Sequence, residues 1–186
     1  MVRSLPTHLH TERIIMRPVT PGDRADLVAL EADPEVMRYL NGGQPVPEQG
    51  VVGGDFLTPR GSEPEVMAAH VGATGAFLGW FAVFDDGWVD DMKTGELGYR
   101  LRREHWGQGY ATEGVLALVA SAFASMEFDR IQAQTMTINL GSRRVLEKAG
   151  FRHIETRFPP APTATPGDEQ GEVVYEIRRQ RQHQHP

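Results

Sequence analysis

A chain of 186 residues lies in the range where one compact domain buries its own core, and 40% hydrophobic against 24% charged residues excludes a disordered polymer. The absence of cysteine excludes a disulfide framework and a thiolate nucleophile, and a formal net charge of -6 argues against a general nucleic-acid binder, which needs a basic face. No stretch approaches the roughly 20 apolar residues of a membrane span, and Arg3, His8, His10, Glu12 and Arg13 interrupt the N-terminal run, so neither a span nor a signal peptide is expected. A soluble, cytoplasmic protein with some preference for cationic partners, amines included, is the expectation.

In chain order, residues 11–19 mix β-branched and apolar side chains and read as a first strand ending near Pro18. Pro21-Gly22-Asp23 opens a helix. Leu27, Val28 and Leu30, then Val36, Met37 and Leu40 beyond the Asp33-Pro34 break, recur at helical spacing and predict two short helices on one face of a sheet. Residues 41–65 are rich in Gly and Pro and read as a substrate-side loop with one short helix near 48–57. Residues 66–71, 76–84 and 95–101 form an antiparallel meander, with Asp85, Asp86, Asp90 and Asp91 crowding the solvated turn between the second and third strands. The apolar period then becomes helical over residues 110–128, through Val115, Leu116, Leu118, Val119, Ala122, Phe123 and Met126. A strand at 131–138, a helix at 142–148 closed by Gly150, a strand at 151–157, a loop at 159–171 and a last strand at 172–178 complete the chain. The fold class is therefore α/β, with a mixed sheet; residues 1–179 read as one domain and 180–186 as a disordered tail.

Chemistry concentrates in Glu96-Leu97-Gly98-Tyr99-Arg100-Leu101 and in His105-Trp106-Gly107-Gln108-Gly109-Tyr110-Ala111-Thr112-Glu113. A strand here enters a glycine turn and then a long helix, so unpaired N–H groups converge where the helix dipole favours an anion, and Thr112 adds a hydroxyl. A side chain at Gly109 is expected to intrude on this phosphate seat. Two familiar phosphate motifs do not fit: no lysine follows the glycines, and Gly114 falls one place beyond the third glycine of a dinucleotide fingerprint.

These blocks resemble the GNAT family of N-acetyltransferases, and particularly its ribosomal-protein-alanine acetyltransferase (RimJ/RimL-like) branch. The likeness begins at Thr11-Glu12-Arg13-Ile14-Ile15-Met16-Arg17-Pro18 and Asp33-Pro34-Glu35-Val36-Met37-Arg38-Tyr39-Leu40. It continues through the glycine turn to Asn139-Leu140-Gly141-Ser142-Arg143-Arg144-Val145-Leu146-Glu147-Lys148-Ala149-Gly150-Phe151, in family order. It implies a mostly antiparallel sheet of about seven strands, splayed between the fourth and fifth, with helices on both faces. It also implies acetyl-CoA as cosubstrate and no metal. The family's pyrophosphate motif maps onto Trp106, Gly107, Gln108, Gly109, Tyr110 and Ala111, with Trp106 where Gln or Arg is usual. Gly98, Tyr99 and Leu101 would pair with pantetheine as an added strand does, Asn139 would lie beside that arm, and Ser142 near the thioester.

Acyl transfer to an amine through a tetrahedral intermediate needs a base for the ammonium proton, a donor for the oxyanion and an acid for the leaving thiolate. Glu96 is the leading base, because strand alternation puts Glu96, Gly98 and Arg100 on one face and Leu97, Tyr99 and Leu101 on the other; a solvated strand-end carboxylate is the competing reading. A backbone N–H near Tyr99 or Arg100 serves the oxyanion. The late helix lacks the tyrosine acid of many family members, so by resemblance Ser142 takes that role, although after Gly141 it also reads as a helix N-cap. Trp106 and Tyr110 equally suit packing, Glu113 complements the helix dipole, and His70 and His105 read as surface or strand-end histidines. The expected acceptor is a protein N-terminal amine or a small amine; the competing function is an acyl-CoA sensor without turnover. A monomer and a homodimer both remain open.

Overall fold

The structure, a computed structural model, describes residues 5–40, 43–48, 66–160 and 165–180. Most of the 41–65 loop, its short helix near 48–57 and the tail from 181 lie outside the described residues. Eight strands form one sheet: β1 (Leu9–His10), β2 (Ile14–Pro18), β3 (Val66–Val71), β4 (Phe77–Val89), β5 (Met92–Leu101), β6 (Arg130–Met136), β7 (Arg152–Arg157) and β8 (Glu172–Arg178). Their order is β1-β2-β3-β4-β5-β6-β8-β7, and every neighbouring pair is antiparallel except β5 with β6. The expected mixed, mostly antiparallel sheet is borne out. The eighth strand is β1, which pairs through Leu9 and His10 and is too short for a period to be visible.

The β4–β5 hairpin is longer than the meander predicted. Asp90 and Asp91 form its two-residue turn, both at positive φ (50° and 59°), the conformation that matches the twist of the flanking strands. Asp85 and Asp86 lie inside β4, where Asp85 meets Lys93 across the hairpin at 2.5 Å. Aspartates and Gly87 disguise this stretch because they are poor strand formers, and the cross-strand pairing overrides that preference.

Three α-helices cover the sheet among the described residues: α1 (Arg24–Glu31), α2 (Tyr110–Ser125) and α3 (Leu140–Lys148). The second short helix expected after Pro34 is a run of turns, with Met37 N–H on Asp33 C=O and Leu40 N–H on Met37 C=O. So short a segment does not repay the cost of nucleating a helix. Val36 and Met37 are buried nonetheless, so the apolar spacing reported burial without helicity.

Strand alternation divides the core. Val66, Ala68, Trp80 and Ala82 face α1 through Leu27 and Leu30, while Met67, Phe81, Val83, Leu97 and Leu101 pack with Val115, Leu118 and Ala122 of α2 and Leu146 of α3. Helices thus lie on both faces. Gly114 lets α2 sit tight on the sheet, since a Cβ there would run into the Phe81 ring. On the opposite face the buried Glu31 carboxylate accepts Trp80 Nε1–H (3.2 Å) and pairs with Arg100, pinning α1 to β5.

The sheet parts at its centre. β5 and β6 pair only at Thr94–Arg130, Gly95–Ile131 and Glu96–Gln132, and diverge beyond Glu96. Buried Arg130 clamps the closed end, donating to Thr94 Oγ1 (2.9 Å), Glu176 Oε2 (3.2 Å) and Val89 C=O (3.0 Å). Among the described residues, no helix is long and apolar enough to cross a membrane.

Candidate active site

The fork between β5 and β6 opens toward the start of α2. Arg102 N–H bonds to Leu78 C=O of β4 (2.8 Å). By the two-residue alternation of a strand, Gly98 and Arg100 also turn their backbone groups to β4, while Tyr99 and Leu101 aim theirs across the gap. The Leu101 carbonyl on that side accepts Trp106 Nε1–H at 2.8 Å. Trp106, standing where the family has Gln or Arg, therefore ties the strand end to the glycine turn. Of the two donors named for the oxyanion, Tyr99 N–H faces the gap and Arg100 N–H does not.

The glycine turn runs through Gly107 (φ +73°) and Gly109 (φ +85°), a left-handed conformation that glycine adopts without Cβ strain. Gly109 is the N-cap of α2 and supplies no side-chain cap, and the first intrahelical bond is Glu113 N–H to Gly109 C=O (3.0 Å). The N–H groups of Gly109, Tyr110, Ala111 and Thr112 consequently meet no acceptor among the described residues. Side chains leave this fan clear: Gln108 Nε2 folds back on Glu104 C=O (2.8 Å), and Tyr110 stacks beneath the Arg13 guanidinium at 4.5 Å. A Cβ at Gly107 would meet nothing within 4 Å, whereas one at Gly109 would meet Arg13 Nη2 at 3.2 Å. The obstruction expected at Gly109 thus falls on Arg13, on the far side of the turn.

Glu96 stands at the fork itself, opposite Phe84 on β4 and Gln132 on β6, with its side chain on the α1 face beside Gly98 and Arg100. Burial, and then the negative charge of Asp86, raise its pKa above the ordinary carboxylate range. Asp86, read from sequence as part of a solvated turn, is a strand residue acting on this carboxyl.

Ser142 lies in the first turn of α3, and it does not cap that helix. Asn139 does, its Oδ1 accepting Ser142 N–H at 3.2 Å. This frees the Ser142 hydroxyl, which lies 3.1 Å from Tyr99 Oη. Burial pushes the Tyr99 phenol up to about 12 despite the opposing effect of that hydrogen bond, so it stays protonated at neutral pH. Sequence order hides this partnership, because 43 residues separate the two side chains; only the parity of β5 hints that Tyr99 faces the helix carrying Ser142. His70 lies elsewhere, with its edge on Phe77 and Nε2 3.9 Å from Asp23, and His105 abuts Tyr110. An open groove of about 1230 Å³ between α2 (Leu116, Phe123) and β7–β8 (Ile154, Ile177) touches none of these groups.

A sheet parted at its centre, with a long helix starting at the mouth of the fork, is the architecture of acetyltransferases that use acetyl-CoA. The profile described as "Acetyltransferase (GNAT) domain" matches residues 13–152. A relative named FsC-acetyl coenzyme A-N(2)-transacetylase, from Aspergillus fumigatus, is 34% identical over 186 residues, an alignment spanning 96% of this chain and 79% of the relative. A GNAT acetyltransferase structure from Bacillus anthracis superposes with a TM-score of 0.73 at 21% identity, over 92% of this chain and 98% of that one. Spermidine N-acetyltransferase from Vibrio cholerae, solved with CoA and spermine, gives a TM-score of 0.73 at 14% identity, over 90% and 96%. The chain belongs to the GNAT acetyltransferase family and is an acetyl-CoA-dependent N-acetyltransferase.

Proposed function

We propose that the protein transfers an acetyl group from acetyl-CoA to the primary amine of a small molecule, with the donor held along the fork of β5 and β6. The observation that carries this reading is the fan of four N–H groups from Gly109 to Thr112, without partners among the described residues, at a helix start with no side-chain cap and beside a strand edge that no described strand pairs. An anionic diphosphate suits the first, and an extended amide-bearing arm suits the second. Tyr99, Leu101, Trp106, Gly107, Gln108, Ala111 and Asn139 complete the proposed donor site; Gly98, expected beside them, turns its backbone groups to β4 and offers the arm no hydrogen bond.

Acetyl-CoA, when bound, supplies an activated acetyl group. Glu96 removes the proton that the amine carries at neutral pH, a task for which its raised pKa suits it. Tyr99 N–H stabilises the oxygen that gains charge as the amine adds. Ser142 returns a proton to the departing sulfur. Because the Tyr99 phenol stays protonated, it can donate to Ser142 Oγ and turn the serine's own proton toward the fork.

The name of the Aspergillus relative designates a nitrogen, N(2), as the acceptor atom, and this favours a small-molecule amine. The likeness to the ribosomal-protein-alanine branch favours a protein N-terminal amine instead. The decisive assay incubates the protein with acetyl-CoA and either small amines or short peptides with free α-amines, following thiol release. Release that depends on a small amine supports the reading, and release with peptides alone transfers it to protein N-termini. Donor binding without release for any acceptor leaves only the sensor.

A further inference from the structure

The lead-in to β2 reaches over to the glycine turn. Arg13 Nη1 donates to the Gln108 carbonyl at 2.9 Å, Nε and Nη2 both bond Glu113 Oε2 at 2.7 Å, and the guanidinium lies 4.5 Å over the Tyr110 ring. Glu113 Oε1 accepts Thr11 Oγ1 (2.6 Å) and Arg13 N–H (2.9 Å). Both oxygens of the carboxylate in the first turn of α2 are thereby engaged from outside the helix.

Two consequences follow from elementary geometry and charge. The Gln108 carbonyl and the Gly109 N–H belong to one trans peptide unit and point in opposite directions. Holding the carbonyl on the Arg13 side turns the Gly109 N–H toward the other, and this matters because two left-handed glycines otherwise leave the turn soft. Secondly, a carboxylate in the first helical turn suits the dipole yet repels an incoming diphosphate, and it can also fold onto the free N–H groups itself. Arg13 neutralises Glu113, and together with Thr11 it keeps both oxygens turned away from the fan.

We infer that Arg13, with Thr11, is a positioning residue of the donor site: it orients the phosphate turn and masks the Glu113 carboxylate so that an anionic carrier can approach. The inference rests on the donor-site reading above. Its distinctive expectation is that removing the mask is worse than removing mask and carboxylate together.

Isothermal titration of acetyl-CoA into the full chain tests this, alongside steady-state kinetics and a melting temperature for each protein. Arg13→Ala is expected to weaken acetyl-CoA binding about tenfold, as loss of charge-assisted bonds does, with KM for acetyl-CoA moving far more than kcat. Arg13→Lys keeps the charge without the fork and falls between Arg13→Ala and wild type. Adding Glu113→Gln to Arg13→Ala restores most of the affinity, a rescue that general loss of folding does not produce. Arg13→Ala binding within about twofold of wild type, or a double variant no tighter than the single, overturns the mask while leaving the donor site standing. A wild type that binds no acetyl-CoA overturns both.

Discussion

From Thr94 to Glu96, strand β5 pairs with β4 on one side and β6 on the other; from Leu97 to Leu101 it pairs with β4 alone among the described residues. The two halves belong to one strand and alternate alike, so the difference is not one of strand propensity. At the closed half, Arg130 gathers Thr94, Glu176 and the Val89 carbonyl into a buried cluster that holds β6 in place. At the open half, Trp106 takes the Leu101 carbonyl and Tyr99 reaches across to Ser142, so side chains support the gap without filling it with a strand. Backbone groups left unpaired inside a protein carry a real cost. On the proposed reading the donor's arm completes the parted edge, and Glu96 sits at the boundary between the two regimes.

The largest effect is expected at that boundary. On the proposed reading, Glu96→Gln removes the base and lowers kcat about 10²- to 10⁴-fold while leaving the acetyl-CoA KM nearly unchanged. A kcat within about threefold of wild type, measured under saturating donor and acceptor, assigns the proton to another group. Next comes the closed half. Arg130→Ala removes a buried guanidinium that donates to Thr94, Glu176 and the Val89 carbonyl, leaving Glu176 with Arg178 and Gln132, and should cost about 3 kcal/mol of stability in denaturant unfolding.

Much of this architecture was legible because its determinants are local. The helical period of α2, the alternation of β5 and the glycine turn each lie within a few consecutive residues, and the bounds of β8 were read from alternation alone. What stayed hidden depends on partners distant in sequence. The pairing of Asp85 with Lys93 carries the hairpin through a stretch that looks like a loop, and the grip of Arg13 on Gln108 and Glu113 spans about a hundred residues. The cap of α3 shows a third kind of limit. Asn139 and Ser142 are both good capping residues three places apart, and only the structure decides which oxygen meets which N–H. That decision frees the serine hydroxyl for Tyr99.

The open half yields smaller but more specific effects. Tyr99→Phe keeps the ring against Phe81, 5.9 Å between centroids, and removes only the hydroxyl that meets Ser142. A drop in kcat of about tenfold is expected, the worth of one oriented hydrogen bond. Ser142→Ala should make the second change nearly silent, because each acts through the other. Additive losses in the double variant would separate the two side chains.

The subtlest test lies where the halves meet and reads pH alone. On the proposed reading Glu96 acts when deprotonated, so the rate should rise with pH as its carboxyl ionises. Burial first, and Asp86 second, raise that pKa and so displace the acidic limb of kcat/KM upward. Asp86→Asn removes one negative neighbour without touching the burial, which makes the Glu96 carboxylate easier to form. The acidic limb must then move to lower pH, and only by the part of the displacement that Asp86 contributes. Added salt should shrink the wild-type displacement in the same direction while leaving Asp86→Asn less affected, since screening acts on the charge and not on the desolvation. A limb that stays fixed in the variant, or that moves upward, means that the titrating group is not a Glu96 carboxyl held up by the charge of Asp86.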